Sequence, residues 1–335
     1  MTHSRSEIHY LINRYLIKGL LYKAPFLGDK LKNYEDLKRS RNACGYEPGH
    51  FYSPIPSLPE ITARSGEIFS SQEILDIDLN LDGQLKLLEG FKKLHKEIPY
   101  DLLNNKENEA LRYKFTGRPQ YRYSDVVFLY HTIRHLQPQR IIEVGSGSSS
   151  AVMLDINDLF FDSSIKFTFI EPYPERLLNS LTEEDKTKHV IIAKRVQNVP
   201  ISTFRSLREN DILFIDSSHV SKTGSDLNQI FFNILPIINK GVWIHFHDIF
   251  YPFELPEHWV LRYKRFWNEN YLLRAFLMNN NSYEIVLFNS FLHKKHRKWL
   301  EVEMPECLID EADTGSIWIR KTSAPASVSS REFHI

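Results

Sequence analysis

From residue 140 onward, short apolar runs alternate with longer segments in which apolar positions return every three or four residues. The runs are RIIEV, KFTFIE, VIIAK, DILFID and GVWIHFHD. Their apolar residues are mostly consecutive, as in strands covered on both faces of a parallel sheet. Segments of helix length separate them, and in one Leu227, Ile230, Phe231 and Ile234 fall at i, i+3, i+4 and i+7. A further helix leads into the first strand. YSDVVFLYHTIRHLQP offers Ser124 as N-cap, places Val126, Leu129, Tyr130 and Ile133 on one face, and stops at Pro138. Two later runs, YEIVLF from Tyr283 and SIWIRK from Ser316, lack such a crossover and are expected to pair antiparallel at the sheet edge. The basic stretch HKKHRKW between them reads as a solvated loop. The pattern predicts an α/β fold, a doubly wound and mostly parallel seven-stranded sheet with an antiparallel C-terminal edge pair.

The first hundred or so residues lack this alternation. Residues 1–115 are expected to form a mainly helical or irregular extension, residues 116–322 the α/β domain, and residues 323–335 a disordered tail. Ile8, Leu11, Ile12 and Tyr15 recur at helical spacing, but Arg14 and Lys18 interrupt the run. An amphipathic helix docked on the domain or on a second copy, in a possible homodimer, is expected there, with no membrane span. In GYEPGHFYSPIPSLPEI, Pro54, Pro56 and Pro59 predict an extended or turning path without helix. LDGQLKLLEGFKKLHKEI is helix-like.

Composition narrows the function. In 335 residues, 42 basic and 42 acidic side chains cancel, and the pI of about 7.3 gives no polyelectrolyte footprint for nucleic acid. A small-molecule partner is expected instead. Cys44 and Cys307 are the two cysteines, far apart in sequence, so neither a disulfide framework nor a cysteine metal site is implied, which suits a reducing, cytoplasmic setting.

The candidate chemistry starts at IIEVGSGSSS, Ile141 to Ser150. A buried strand ending in two glycines separated by one residue is how a backbone is brought close to a ligand. Glu143 precedes the turn, where it would repel a pyrophosphate but attract an ammonium or sulfonium. Glu171 ends the second strand, 28 residues further on, where a carboxylate can accept both hydroxyls of a ribose. Ribose plus a cationic group without phosphate describes S-adenosylmethionine. An NAD-dependent oxidoreductase would share the ribose acid but would want a third glycine and no acid at position 143. A tight turn without ligand is the remaining reading.

These residues resemble the class I S-adenosylmethionine-dependent methyltransferases, in particular bacterial small-molecule O-methyltransferases. EVGSGSS and FTFIEPYPERL are similar to the family's first two motifs, and DILFIDSSHVSKTGSDLNQIFFNILPIINKGVWIHFHDIFYP resembles its fourth and fifth strands. The resemblance implies that Glu143, Gly145, Ser146 and Gly147 face the methionine end of the cofactor, with Tyr123 a further candidate there. It implies that Glu171 holds the ribose, that Gln197 contacts the adenine, and that Asp216 belongs to the same crevice.

Methyl transfer needs an aligned nucleophile and a proton acceptor. FIDSSH puts Asp216 at the end of the fourth strand with His219 after it. WIHFHD puts His245 and His247 on one face of the fifth, with Asp248 at its end. Asp216, His247 and Asp248 would form a divalent metal site by resemblance, although an imidazole there suits a transition metal better than magnesium. In the metal-free alternative, His219 or His247 is the general base with Asp248 beside it. His131 and His135, i and i+4 on a helix, read as a solvated face. Trp259, Phe266, Trp267 and Tyr271 could close over the site. The expected activity is methyl transfer to a hydroxyl of a sugar or secondary metabolite. A scaffold that keeps the fold without turnover is the rival.

Overall fold

The computed structural model describes residues 45–70, 73–115, 121, 123–309 and 314–326. The expected helix around residues 8–15, Cys44, and residues 327–335 of the expected tail lie outside them. The chain divides into two compact units, Met1–Ile68 and Phe69–Ile335. In the first, Leu58–Ala63 is helical. Ser57 caps it by accepting from the Glu60 amide, and Pro59 sits in the first turn. The expectation that prolines exclude helix from this segment fails at its end, because a first-turn proline lacks only an amide hydrogen that has no intrahelical partner anyway.

The second unit is built on seven strands: β1 Arg140–Val144, β2 Lys166–Ile170, β3 Val190–Ile192, β4 Ile212–Ile215, β5 Trp243–His247, β6 Tyr283–Phe288 and β7 Ser316–Lys321. Their order is β3-β2-β1-β4-β5-β7-β6. β1 to β5 run parallel, and β7 pairs antiparallel with both β5 and β6. Every residue of β4 and β5 is buried, which explains the continuous apolar runs. The chain winds outward from β1 to β3, then returns to lay β4 on the other side. The switch point between β1 and β4 is where a doubly wound sheet opens a crevice at its strand ends.

The compact unit reaches back to Phe69, ahead of the boundary expected at residue 115. Side chains hold residues 79–113 to the sheet and its helices. Asn80 donates to the Ile285 carbonyl, and Gln84 accepts from the Phe288 amide. The Asp155 carboxylate accepts the amides of Arg112 and Tyr113. These polar attachments carry no period, so the sequence pattern does not register them.

The helix before β1 spans Tyr123–Leu136. Ser124 lies within it rather than capping it, and its buried hydroxyl bonds His293 Nε2 at 2.8 Å. His293 itself belongs to a helix, Asn289–Lys295, followed by another at Arg297–Glu303, so HKKHRKW is not a loop. The segment before β5 is helical as expected, but its turns widen from α (Asp226–Gln229) to π (Ile230–Ile234). Among the described residues, no helix is long and apolar enough to cross a membrane.

Candidate active site

Two adjoining cavities of about 520 and 450 Å³ lie at the carboxyl ends of β1, β2, β4 and β5, and share Gly145, Glu171, Asp216, Ser217 and Ser218. Gly145 makes the crossing of β1 and β4 possible. Its φ is +86°, and a Cβ there would stand 1.7 Å from the Asp216 carbonyl oxygen. Only glycine fits this position. Gly147 has φ −175°, which any residue adopts, and an added Cβ would make ordinary contact with Arg176. It lines the cavity without being required by the backbone.

Of the residues expected to bind a cofactor, Gly145, Ser146, Gly147, Glu171, Gln197 and Asp216 line the cavities. Gln197 donates to the Gly224 carbonyl at 2.8 Å, while its buried Oε1 has no partner among the described residues. The buried Ser146 hydroxyl lies beside Glu143 and, against burial, helps hold that carboxyl's pKa down. Glu171 accepts the Tyr173 amide at 2.8 Å and stays partly open.

Two of the expected residues do not line either cavity. Glu143 is fully buried below the turn, accepting the hydroxyls of Ser149 (2.6 Å) and Ser150. Burial, opposed by those hydroxyls, pushes its pKa up to about 8. Glu143 therefore braces the start of the following helix instead of presenting a charge to a ligand. Tyr123 begins its helix and packs near Phe115. The tyrosine on the cavity is Tyr121, whose ring lies 5.1 Å from that of His247.

The four residues singled out on β4 and β5 do converge. His219 Nε2 lies 3.4 Å from Asp216 Oδ1 and 3.6 Å from Asp248 Oδ2, and His247 Nε2 lies 3.6 Å from Asp248 Oδ1. A fifth member comes from further along the chain: His219 Nδ1 is 2.7 Å from Oε2 of the buried Glu269. Burial alone would lower the His219 pKa, but Asp216, Glu269 and Asp248 raise it well above the ordinary histidine value. With a carboxylate facing each ring nitrogen, His219 is held as an imidazolium and is not the free base expected from the sequence.

The remaining members divide the charge. Burial works against ionisation of Asp216, yet His247 and His219 hold its pKa below the usual carboxylate value. Asp248 has its pKa raised by burial, with the two imidazoles and Arg265 opposing. His247 is buried, and the carboxylates of Asp248, Asp216 and Asp125 outweigh the desolvation to raise its pKa. Asp125, fully buried, accepts from Asn289 at 2.7 Å and is pushed up to about 6 by burial. Ser316 also hydrogen bonds the Asp125 carboxyl, and among the described residues His247 Nδ1 is buried without a hydrogen-bond partner.

The expected metal trio does not fit this arrangement. Among the described residues, no group of three or more His, Cys, Asp or Glu side chains is arranged to hold a metal ion. A cationic ring nitrogen already faces both Asp216 and Asp248. Neither do His131 and His135 form a ligand pair. His135 is exposed, whereas His131 is fully buried, stacks on Phe91 and His95, and is pushed down to about 3 by burial.

His245 shares a face with His247 but is buried between Phe214 and Trp318, below the cavity. The aromatic segment after β5 contributes Trp259 and Trp267 to the cavity lining, with Arg265. Tyr271 instead hydrogen bonds Glu254. The sequence reading missed Tyr121, Glu269, Arg176 and Arg265. Only Arg265 carries a hint, its place between two tryptophans.

A family profile described as "Methyltransferase domain" matches residues 142–249, from β1 to just past β5. An uncharacterized protein of Archaeoglobus fulgidus is 34% identical over 190 residues, covering 55% of this chain and 85% of that protein. Among solved structures, a putative O-methyltransferase from Klebsiella pneumoniae is similar at 12% identity, covering 72% of this chain and 99% of that one, with a TM-score of 0.40. The Podospora anserina methyltransferase PaMTH1, solved with SAH, is similar at 16% identity, covering 79% of this chain and 95% of that one, with a TM-score of 0.38. Strand order, the Gly145 turn at the switch point, the methyltransferase-domain profile and the Archaeoglobus relative together identify the chain: it belongs to the class I S-adenosylmethionine-dependent methyltransferases.

Proposed function

We propose that this protein transfers a methyl group to a hydroxyl of a small molecule, such as a sugar or secondary metabolite, with Asp248 as proton acceptor. The observation that carries this reading is the Asp248 carboxylate. It lies 3.6 Å from each of two imidazoles, in the cavity that also contains the Gly145 turn.

The residues present fit S-adenosylmethionine. Gly145 leaves space that a Cβ would fill, Glu171 can accept a ribose diol, and the unpartnered Gln197 Oε1 can accept from an adenine amine. Asp216 and Ser146 line the crevice beside them. When bound, the cofactor supplies an electrophilic methyl on a sulfonium.

The chain's own groups supply the rest. Asp248 takes the proton from the acceptor hydroxyl as that oxygen attacks, and burial makes it a stronger base than an ordinary carboxylate. His247 and the fixed His219 cation stabilise the negative charge developing on the oxygen. Glu269 balances His219 from the Nδ1 side, so the Asp216 carboxylate keeps its charge and the crevice suits a sulfonium. Trp259 and Trp267 limit access of water.

The test is Asp248→Asn. S-adenosylmethionine should bind the variant with nearly wild-type affinity by calorimetry. Turnover on an acceptor found by screening should fall by about 10²–10⁴-fold, the usual contribution of a general base. Wild-type turnover in the variant, under conditions where chemistry limits the rate, refutes the assignment.

A further inference from the structure

Among the described residues, one cation in the cavity, Arg265, has no carboxylate within ion-pair distance. The Arg265 guanidinium carbon lies 4.1 Å from the ring centre of Trp259 and 4.7 Å from that of Trp267, with Tyr263 at 5.6 Å. The two indoles meet edge to face at 5.7 Å, and Trp267 stacks on His219 at 4.5 Å. The Arg265 main-chain amide donates to the Trp259 carbonyl at 3.0 Å, which ties the base of the side chain to the same platform. All three side chains line the cavity that contains Asp248.

A guanidinium presents five N–H donors in a rigid fork. Among the described residues, no carboxylate lies within ion-pair distance of Arg265 and no side-chain hydrogen bond uses its donors. Asp248 feels its field, but that carboxylate already has an imidazole on each side at 3.6 Å. Arg265 is thus half-buried, held between aromatic faces, and its donors are uncommitted. A group so pre-organised loses little freedom on pairing with a planar or tetrahedral oxyanion. A neutral acceptor would use the tryptophan faces and leave the guanidinium partly desolvated without compensation.

We propose that Arg265, clamped by Trp259 and Trp267, selects a methyl acceptor that carries an oxyanion, a carboxylate or phosphate, near the hydroxyl that is methylated. The inference rests on the reading of this cavity as the acceptor site. Arg265 binds the anion while the indoles cover the acceptor's carbon skeleton, which brings the hydroxyl toward Asp248. The residue selects the acceptor and takes no part in the proton transfer.

The experiment measures binding to the full chain by calorimetry and tryptophan fluorescence, with and without S-adenosylhomocysteine. The probes are 4-hydroxybenzoate, its neutral amide and phenyl phosphate, and the variants are Arg265→Met and Arg265→Lys. At least one anion should bind about tenfold or more tightly than the amide, as expected when a charged hydrogen-bonded pair replaces a neutral contact. Which anion binds better tells carboxylate from phosphate. Arg265→Met should abolish the preference, Arg265→Lys should keep part of it, and both should bind S-adenosylhomocysteine as the wild type does, which also shows that they fold. An anion preference that is absent in the wild type, or that survives in Arg265→Met, overturns the proposal. If Arg265 served only as counter-ion to Asp248, its loss would change anion and amide binding alike. Because the preference is read without cofactor as well as with it, a failure of S-adenosylhomocysteine to bind would count against the cofactor reading alone.

Discussion

Replacing Glu269 by Gln tests whether His219 is a fixed cation. Both partners are buried, and the Nδ1–Oε2 contact is 2.7 Å. Removing one partner of a buried ion pair costs about 3–5 kcal/mol. Gln retains an acceptor, and Asp216 and Asp248 still face Nε2 at 3.4 and 3.6 Å. The loss should therefore fall nearer the worth of one charged hydrogen bond, about 1.5–3 kcal/mol. The pH dependence is more discriminating than the size. His219 has its folded-state pKa raised well above the histidine value of 6.5. Its contribution is therefore fully present below about 6.5 and is lost as pH rises through the raised folded value. Burial raises the Glu269 pKa, with His219 opposing, so the pair also weakens where that carboxyl takes up its proton in acid. Urea unfolding of the wild type and Glu269→Gln at a series of pH values should give the largest difference near neutrality and a declining one in alkali. A difference that stays constant from neutral to strongly alkaline pH, or one below about 0.5 kcal/mol at neutrality, would be that of an ordinary surface substitution. Either result would refute the fixed cation.

Three further outcomes follow from the same geometry. Gly145→Ala must place a methyl group against the Asp216 carbonyl at positive φ; a stability loss above about 2 kcal/mol in denaturant, with cofactor affinity lost in calorimetry, is expected from strain and overlap together. Glu171→Ala should weaken S-adenosylmethionine binding by about 1.5–3 kcal/mol, and unchanged affinity would remove the ribose assignment. Exhaustive chelation should leave turnover intact, because the described acids and histidines do not assemble a metal site; activity lost on chelation and restored by a divalent ion would reverse that conclusion.

The seven strands, their order of appearance and the antiparallel edge were legible in the sequence because burial on both faces of a sheet writes itself as consecutive apolar residues. Gly145 was legible because a turn forbidden to any Cβ leaves a glycine in the text. The expectation that Asp216, His247 and Asp248 share one site came from strand period and neighbouring strand ends, which fix where side chains emerge, whereas His219 joins them from the loop after β4. What the pattern could not decide is what a polar side chain meets once the chain has folded. Glu143 stands where an acid could face a ligand, yet two serines of the next turn take both its oxygens. Tyr121 and Tyr123 differ by two positions, and only the start of the helix decides which reaches the cavity. Glu269 lies 50 residues from His219 in a segment with no motif, so the charge state of that histidine is a tertiary fact. The protonation of a buried cluster depends on distances between groups and on the water excluded around them, and neither quantity has a period along the chain.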